Sequence, residues 1–124
     1  MTTTASIPPA TVWARVDLPG FHHWPAAPDH RAYLRARHRH LFHIRAAVHV
    51  AHDDRDVEFH DLADAIRVWW GPGDRECGAA SCEALARTLA EHLTSLGLRL
   101  DEVAVSEDGE AGAIVRLPRE GEQP

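Results

Sequence analysis

Lysine is absent from this chain: all 13 basic residues are arginine. A lysine Schiff base and a lysine general base are therefore both excluded. Cysteine is scarce as well. Cys77 and Cys82 are the only two thiols, and their spacing is not C-x-x-C. So little cysteine supports no disulfide framework and predicts a reduced, cytoplasmic chain. No run of about 18 apolar residues occurs, so no membrane span is expected. The N-terminus lacks a basic segment followed by an apolar core, so no signal peptide is expected either. The net charge of -6 argues against a nucleic-acid partner.

What remains is 124 residues, 44% hydrophobic and 26% charged, which suits one soluble globular domain with a modest core. No internal repeat or interdomain linker is visible. The expected division is a flexible leader at 1–10, a single domain at 11–117 and a polar tail at 118–124. The compositional excess is histidine, with ten residues. Two of them, His38 and His40, stand two apart at the head of a strand-like stretch carrying Phe42, Ile44, Val48 and Val50. Residues two apart in a strand share a face roughly 6 to 7 Å apart, so both imidazoles can grip one ion. Zinc is the usual guest of such donors. Two ligands are too few, so a third must come from elsewhere. His43 falls on the opposite strand face and should point away.

Thr11 to Leu18 alternates apolar and polar residues and reads as a half-buried strand, interrupted by Pro19-Gly20. Asp29 to Arg37 has room for a short helical turn around Tyr33 and Leu34. The central strand is expected at roughly 40–52. A helix at about 60–70 follows, with Leu62, Ile66, Trp69 and Trp70 on one face, stopped by Gly71-Pro72-Gly73. Residues 71–80 read as a loop. Ser81 is a suitable N-cap for a second helix, with Leu85, Leu89, Leu93 and Leu96 as its buried stripe and Gly97 as its end. Strands at 98–106 and 111–117 flank an Asp108-Gly109 hairpin turn. The expected order is ββααββ: an α+β domain whose four-stranded antiparallel sheet carries two helices on one face. A cupin barrel also uses a His-X-His strand, but it is nearly all strand and needs a later histidine that the last strands here do not have.

Several separated segments resemble one family, the 6-pyruvoyl- and 6-carboxytetrahydropterin synthases. The central piece is similar to their His-Gly-His-Asn-Tyr strand, and Phe21-His22-His23-Trp24-Pro25 to their Ala-His-Arg-Leu-Pro segment. Val57-Glu58-Phe59-His60-Asp61-Leu62 resembles their Met-Asp-Phe-x-Asp-Leu helix entry. Ser81-Cys82-Glu83-Ala84-Leu85-Ala86 resembles their Thr-x-Glu-Asn-Leu-Ala helix start, and Val103-Ala104-Val105-Ser106-Glu107 their Val-x-Val-x-Glu-Thr strand end. The resemblance spans residues 11–117 and implies the tunnelling fold, a Zn2+ ion on three histidines, and a homohexamer built from two stacked three-chain barrels. The ligands it implies are His22, His38 and His40. His23 is the local rival for the first, though His22 aligns better. It also implies a pterin-like ligand anchored by Glu107, with Ser81 beside it. Two parallel carboxylate acceptors would meet two parallel donors of the base.

The chain departs from the family pattern at two places. Leu34 stands where the family carries a catalytic cysteine, four residues before His38. The Asp-His pair expected before the second helix is missing from the shortened 71–80 segment. Replacement candidates are Cys82, in a first helical turn where the dipole lowers a thiol pKa, and the adjacent His60 and Asp61, whose side chains should diverge. Cys77 lies near the missing segment too. Arg35, Arg37 and Arg39 are candidate phosphate contacts. The implied function is a zinc-dependent lyase of the 6-carboxytetrahydropterin synthase type, acting on a reduced pterin or another purine-derived heterocycle. The departures keep two alternatives open: a non-catalytic zinc-containing binding protein of this fold, and a diverged enzyme of specialised metabolism.

Overall fold

A computed structural model describes residues 9–118; most of the expected leader and tail lies outside the described residues. The elements in chain order are β1 (Thr11–His22), a 3-10 segment (Asp29–Leu34), β2 (His38–His49), α1 (Phe59–Trp70), β3 (Arg75–Glu76), α2 (Cys82–Ser95), β4 (Leu100–Glu107) and β5 (Ala111–Arg116). They form an α+β fold with one five-stranded sheet in the order β3-β1-β2-β4-β5. The expectation of four strands in the order ββααββ is corrected by β3. Its two residues pair in parallel with Gly20 and Phe21, inside a stretch that reads as loop because it has no strand composition. The other pairings are antiparallel.

Pro19-Gly20 does not interrupt β1, which runs on to His22. The Pro19 carbonyl accepts a hydrogen bond from Trp70 Nε1 at 2.9 Å, and the Phe21 carbonyl accepts from the Cys77 amide at 2.8 Å. Both carbonyls face away from β2. The N–H that proline lacks would face the same way, so no β1–β2 ladder bond is lost. Gly20 is required by close packing rather than by a turn. A Cβ there would lie 2.7 Å from Trp70 Cζ2 and 3.1 Å from the Arg75 carbonyl oxygen.

The inward face carries Val16, Phe42, Ile44, Val103 and Val105, and the helices cover it with Leu62, Ile66, Trp70, Leu85, Leu89 and Leu93. Helix α1 packs on β1, and α2 on β4 and β5. Glu58 caps α1 by accepting from the Asp61 amide, and Ser81 caps α2 by accepting from the Ala84 amide. Leu96 departs from its expected place in the buried stripe. The helix ends at Ser95, and Leu96 is 56% exposed at the C-cap. Asp108 and Gly109 both take positive φ (55° and 73°), and with Glu110 they form the three-residue turn between the paired Glu107 and Ala111. Among the described residues, no helix is long and apolar enough to cross a membrane.

Candidate metal centre

Strand alternation and register bring three histidines together. His22 is the register partner of His38, and Gly20 the partner of His40. Directly paired residues share a face, so His22, His38 and His40 all lie on the inward side, at the end of the sheet beyond Phe42. Their ring centroids stand 4.6, 5.1 and 4.9 Å apart. One ligand-type atom from each lies within 4.8 Å of the others. His22 is 8% exposed, the one buried polar residue among the described residues.

Each imidazole is oriented by its second nitrogen. His22 Nδ1 lies 3.1 Å from the Ala80 carbonyl oxygen, and His38 Nδ1 2.8 Å from that of Ala36. A carbonyl only accepts, so both Nδ1 atoms carry the proton. His40 Nδ1 donates to Asp108 Oδ2 at 2.6 Å. This hydrogen bond, followed by the Leu41 amide on Oδ1, holds the Asp108 carboxyl below the usual aspartate value. Asp108 is therefore an ionised acceptor, and carboxylate–histidine pairs of this kind orient metal ligands. In each ring the engagement of Nδ1 leaves Nε2 as the nitrogen able to face a metal. His22 Nε2 and His40 Nε2 are buried with no hydrogen-bond partner.

Buried nitrogens without a partner are costly unless something fills the gap. A cation accepts all three lone pairs at once. Ligand atoms within 4.8 Å of one another sit at most about 2.8 Å from a common centre, and a shift of under about 1 Å brings each to zinc bonding distance. The donor set therefore fits a zinc ion. Glu107, at the end of β4 opposite Phe42, stands beside two of the three histidines. Its Oε1 lies 3.1 Å from His22 Nε2 and its Oε2 lies 3.5 Å from His40 Nε2.

A cleft of about 510 Å³ opens beside the triad, lined by His22, His38, Leu34, Ser81, Cys82 and Glu107 among others. That volume is in the range of small-molecule sites. Trp24, 48% exposed, adds an aromatic surface to the lining. The structure thus gathers His22, His38, His40, Glu107, Ser81 and Cys82. His23 lines the cleft but contributes no atom to the triad, because β1 ends at His22 and the next side chain turns out of the inward row.

The other expected residues lie elsewhere. His60 and Asp61 are exposed in the first turn of α1, outside the cleft lining, and the far end of that helix, at Trp70, is the end that packs near the site. The Cys82 thiol is not lowered by its helix. Burial, reinforced by the adjacent Glu107 and Glu83 charges, pushes it up to about 12. Desolvation outweighs the helix dipole there, and the group stays a neutral thiol. Cys77, also raised by burial, lies outside the cleft lining. Arg35 is tied to Asp29 and to the Ala27 carbonyl, Arg37 pairs with Glu76 over the Phe21 ring, and Arg39 reaches Asp74. None of the three lines the cleft. His43 lies on the outer face beside Asp17 and Arg15, as its strand parity requires.

Nothing along the chain singles out Asp108 as a site residue. Asp-Gly is a turn signal in its own right, and no local pattern shows that the carboxylate folds back onto a histidine 68 residues earlier. No protein-family model and no curated protein matches this chain.

Proposed function

We propose that this chain is a zinc-dependent enzyme of the 6-carboxytetrahydropterin synthase type, acting in the cleft on a reduced pterin or a related purine-derived heterocycle. The observation that carries the proposal is the triad itself: three imidazoles with Nδ1 committed to an acceptor and Nε2 converging beside a ligand-sized cleft. The motif resemblance supports the substrate class. Bound zinc would supply Lewis acidity, polarising a side-chain hydroxyl of the substrate and acidifying its neighbouring C–H bond. His22, His38 and His40 would hold it. Ser81 and Trp24 would flank the heterocycle, and Leu34 would exclude water from that wall.

A non-catalytic binding protein is the second reading, and two specific observations favour it. The position of the family cysteine is an apolar Leu34 within the cleft lining, and the Cys82 thiol beside it is held protonated. Assembly as a homohexamer in the cytoplasm belongs to the same proposal. Its support is the sheet edges: β3 covers β1 only at Gly20 and Phe21, and β5 ends the other side.

Incubation of the zinc-loaded protein with dihydroneopterin triphosphate, followed by mass spectrometry, tests turnover. A cleaved product supports the enzyme. Calorimetric binding without product supports the binding protein, and neither binding nor product refutes the substrate class. His22→Ala should abolish zinc binding while His23→Ala retains it, and the reverse outcome would move the third ligand.

A further inference from the structure

Glu107 stands in an electrostatically awkward place. Both of its oxygens face imidazole nitrogens whose protons are on the other side of the ring, at 3.1 Å from His22 Nε2 and 3.5 Å from His40 Nε2. Neither nitrogen forms a hydrogen bond, even though a carboxylate oxygen is this close. The nitrogens are therefore not aimed at the carboxylate. Two electron-rich atoms of this kind about 3 Å apart repel unless a positive centre lies between them. The separations themselves fit such a centre. In a tetrahedral zinc site with bonds of about 2.0–2.1 Å, two ligand atoms are about 3.4 Å apart.

We propose that Glu107 is the fourth protein ligand of the metal centre, closing a three-histidine, one-carboxylate sphere. The inference rests on the metal-centre proposal and goes further, because three histidines alone leave a coordination position open. His23, Ser81 and Glu83 line the cleft too, but Glu107 is the carboxylate that stands beside two of the triad nitrogens. Leu34 on the neighbouring wall is apolar, and the Cys82 thiol, 3.9 Å from Glu107 Oε1, is placed to donate to the carboxylate rather than to replace it. Position in the chain explains how Glu107 gets there. It is the last residue of β4, on the inward row with Phe42, and the Asp108-Gly109 turn that follows it also delivers the Asp108 carboxylate to His40. In the ligand-free chain the Glu107 carboxylate belongs to the metal, and a heterocycle entering the cleft must draw it away before it can serve as an anchor.

The test loads wild type, Glu107→Gln, Glu107→Ala and His38→Ala with zinc or cobalt(II). Zinc affinity is read by chelator competition, coordination by the visible absorption of bound cobalt, and folding by far-UV circular dichroism. Glu107→Ala should weaken zinc by more than about a hundredfold, beyond the range typical of an outer partner, and should alter the cobalt bands. Glu107→Gln, which keeps the shape without the charge, should move both readouts in the same direction. If His38→Ala abolishes binding while both Glu107 variants bind within about threefold of wild type with unchanged cobalt bands, the triad stands and the fourth ligand is overturned. If wild type takes up neither metal, the metal centre itself falls, and this inference with it.

Discussion

Asp108→Asn isolates the orientation of His40 from every other feature of the site. The wild-type carboxylate accepts two hydrogen bonds, from His40 Nδ1 at 2.6 Å on Oδ2 and from the Leu41 amide at 2.9 Å on Oδ1. An asparagine offers one oxygen and one NH2 in the same plane. Whichever way the amide turns, one of the two donors then faces another donor, so one bond is always lost. The backbone should not suffer, because φ at this position is +55° and asparagine is among the few residues that tolerate it. The cost therefore falls on the metal ligand. Outer partners of metal-bound histidines typically carry about 10- to 100-fold in affinity, equivalent to roughly 1.4–2.8 kcal/mol. Chelator competition on purified Asp108→Asn should show a loss in that range while circular dichroism is unchanged. Asp108→Gly, which also fits the positive φ, should do at least as much damage. Zinc affinity within twofold of wild type in both variants would refute the carboxylate–histidine coupling.

Gly20→Ala would place a methyl 2.7 Å from the Trp70 indole and 3.1 Å from a backbone carbonyl; such overpacking costs about 1–3 kcal/mol and should lower the melting temperature in calorimetry. The Arg37–Glu76 pair ties β3 to the chain just before β2, and its hydrogen bond from Arg37 holds the Glu76 carboxyl below its ordinary value. A carboxyl lowered on folding stabilises the native state above its unfolded pKa and loses that contribution as pH falls through the folded one. Exchange of the Cys77 amide, bonded to the Phe21 carbonyl, should therefore accelerate in acid below about pH 4.5 relative to the core strands, whereas Glu76→Gln should exchange at the faster rate at neutral pH as well. Light scattering should give a multiple of the 13.7 kDa chain mass, and a single species at the chain mass would refute sheet-edge assembly.

Elements that announce themselves by period and punctuation are legible in the sequence itself. The leucine stripe of α2, the Ser81 cap, the Asp108-Gly109 turn and the alternation of β1 and β2 each depend on residues a few positions apart. The same locality places His38 and His40 on one face. The boundaries that moved are those where a neighbour overrides a local signal. Pro19-Gly20 reads as a break, but the N–H that proline lacks would point away from β2, so no ladder bond is lost, and Trp70 needs the missing side chain. Arg75 and Glu76 carry no strand signal and become a strand only because β1 lies alongside them.

The amino-acid sequence by itself determined the fold class, the two helices and a histidine pair competent to bind metal. Pairing register alone decided that His22 rather than His23 joins that pair, because the third imidazole arrives across strands from 16 residues away. Tertiary structure alone also turned Glu107 and Asp108 toward the histidines, left His60 and Asp61 in solvent, and buried Cys82 until its thiol became a weak acid. Direction and desolvation are properties of the packed neighbourhood, and no spacing along the chain encodes them.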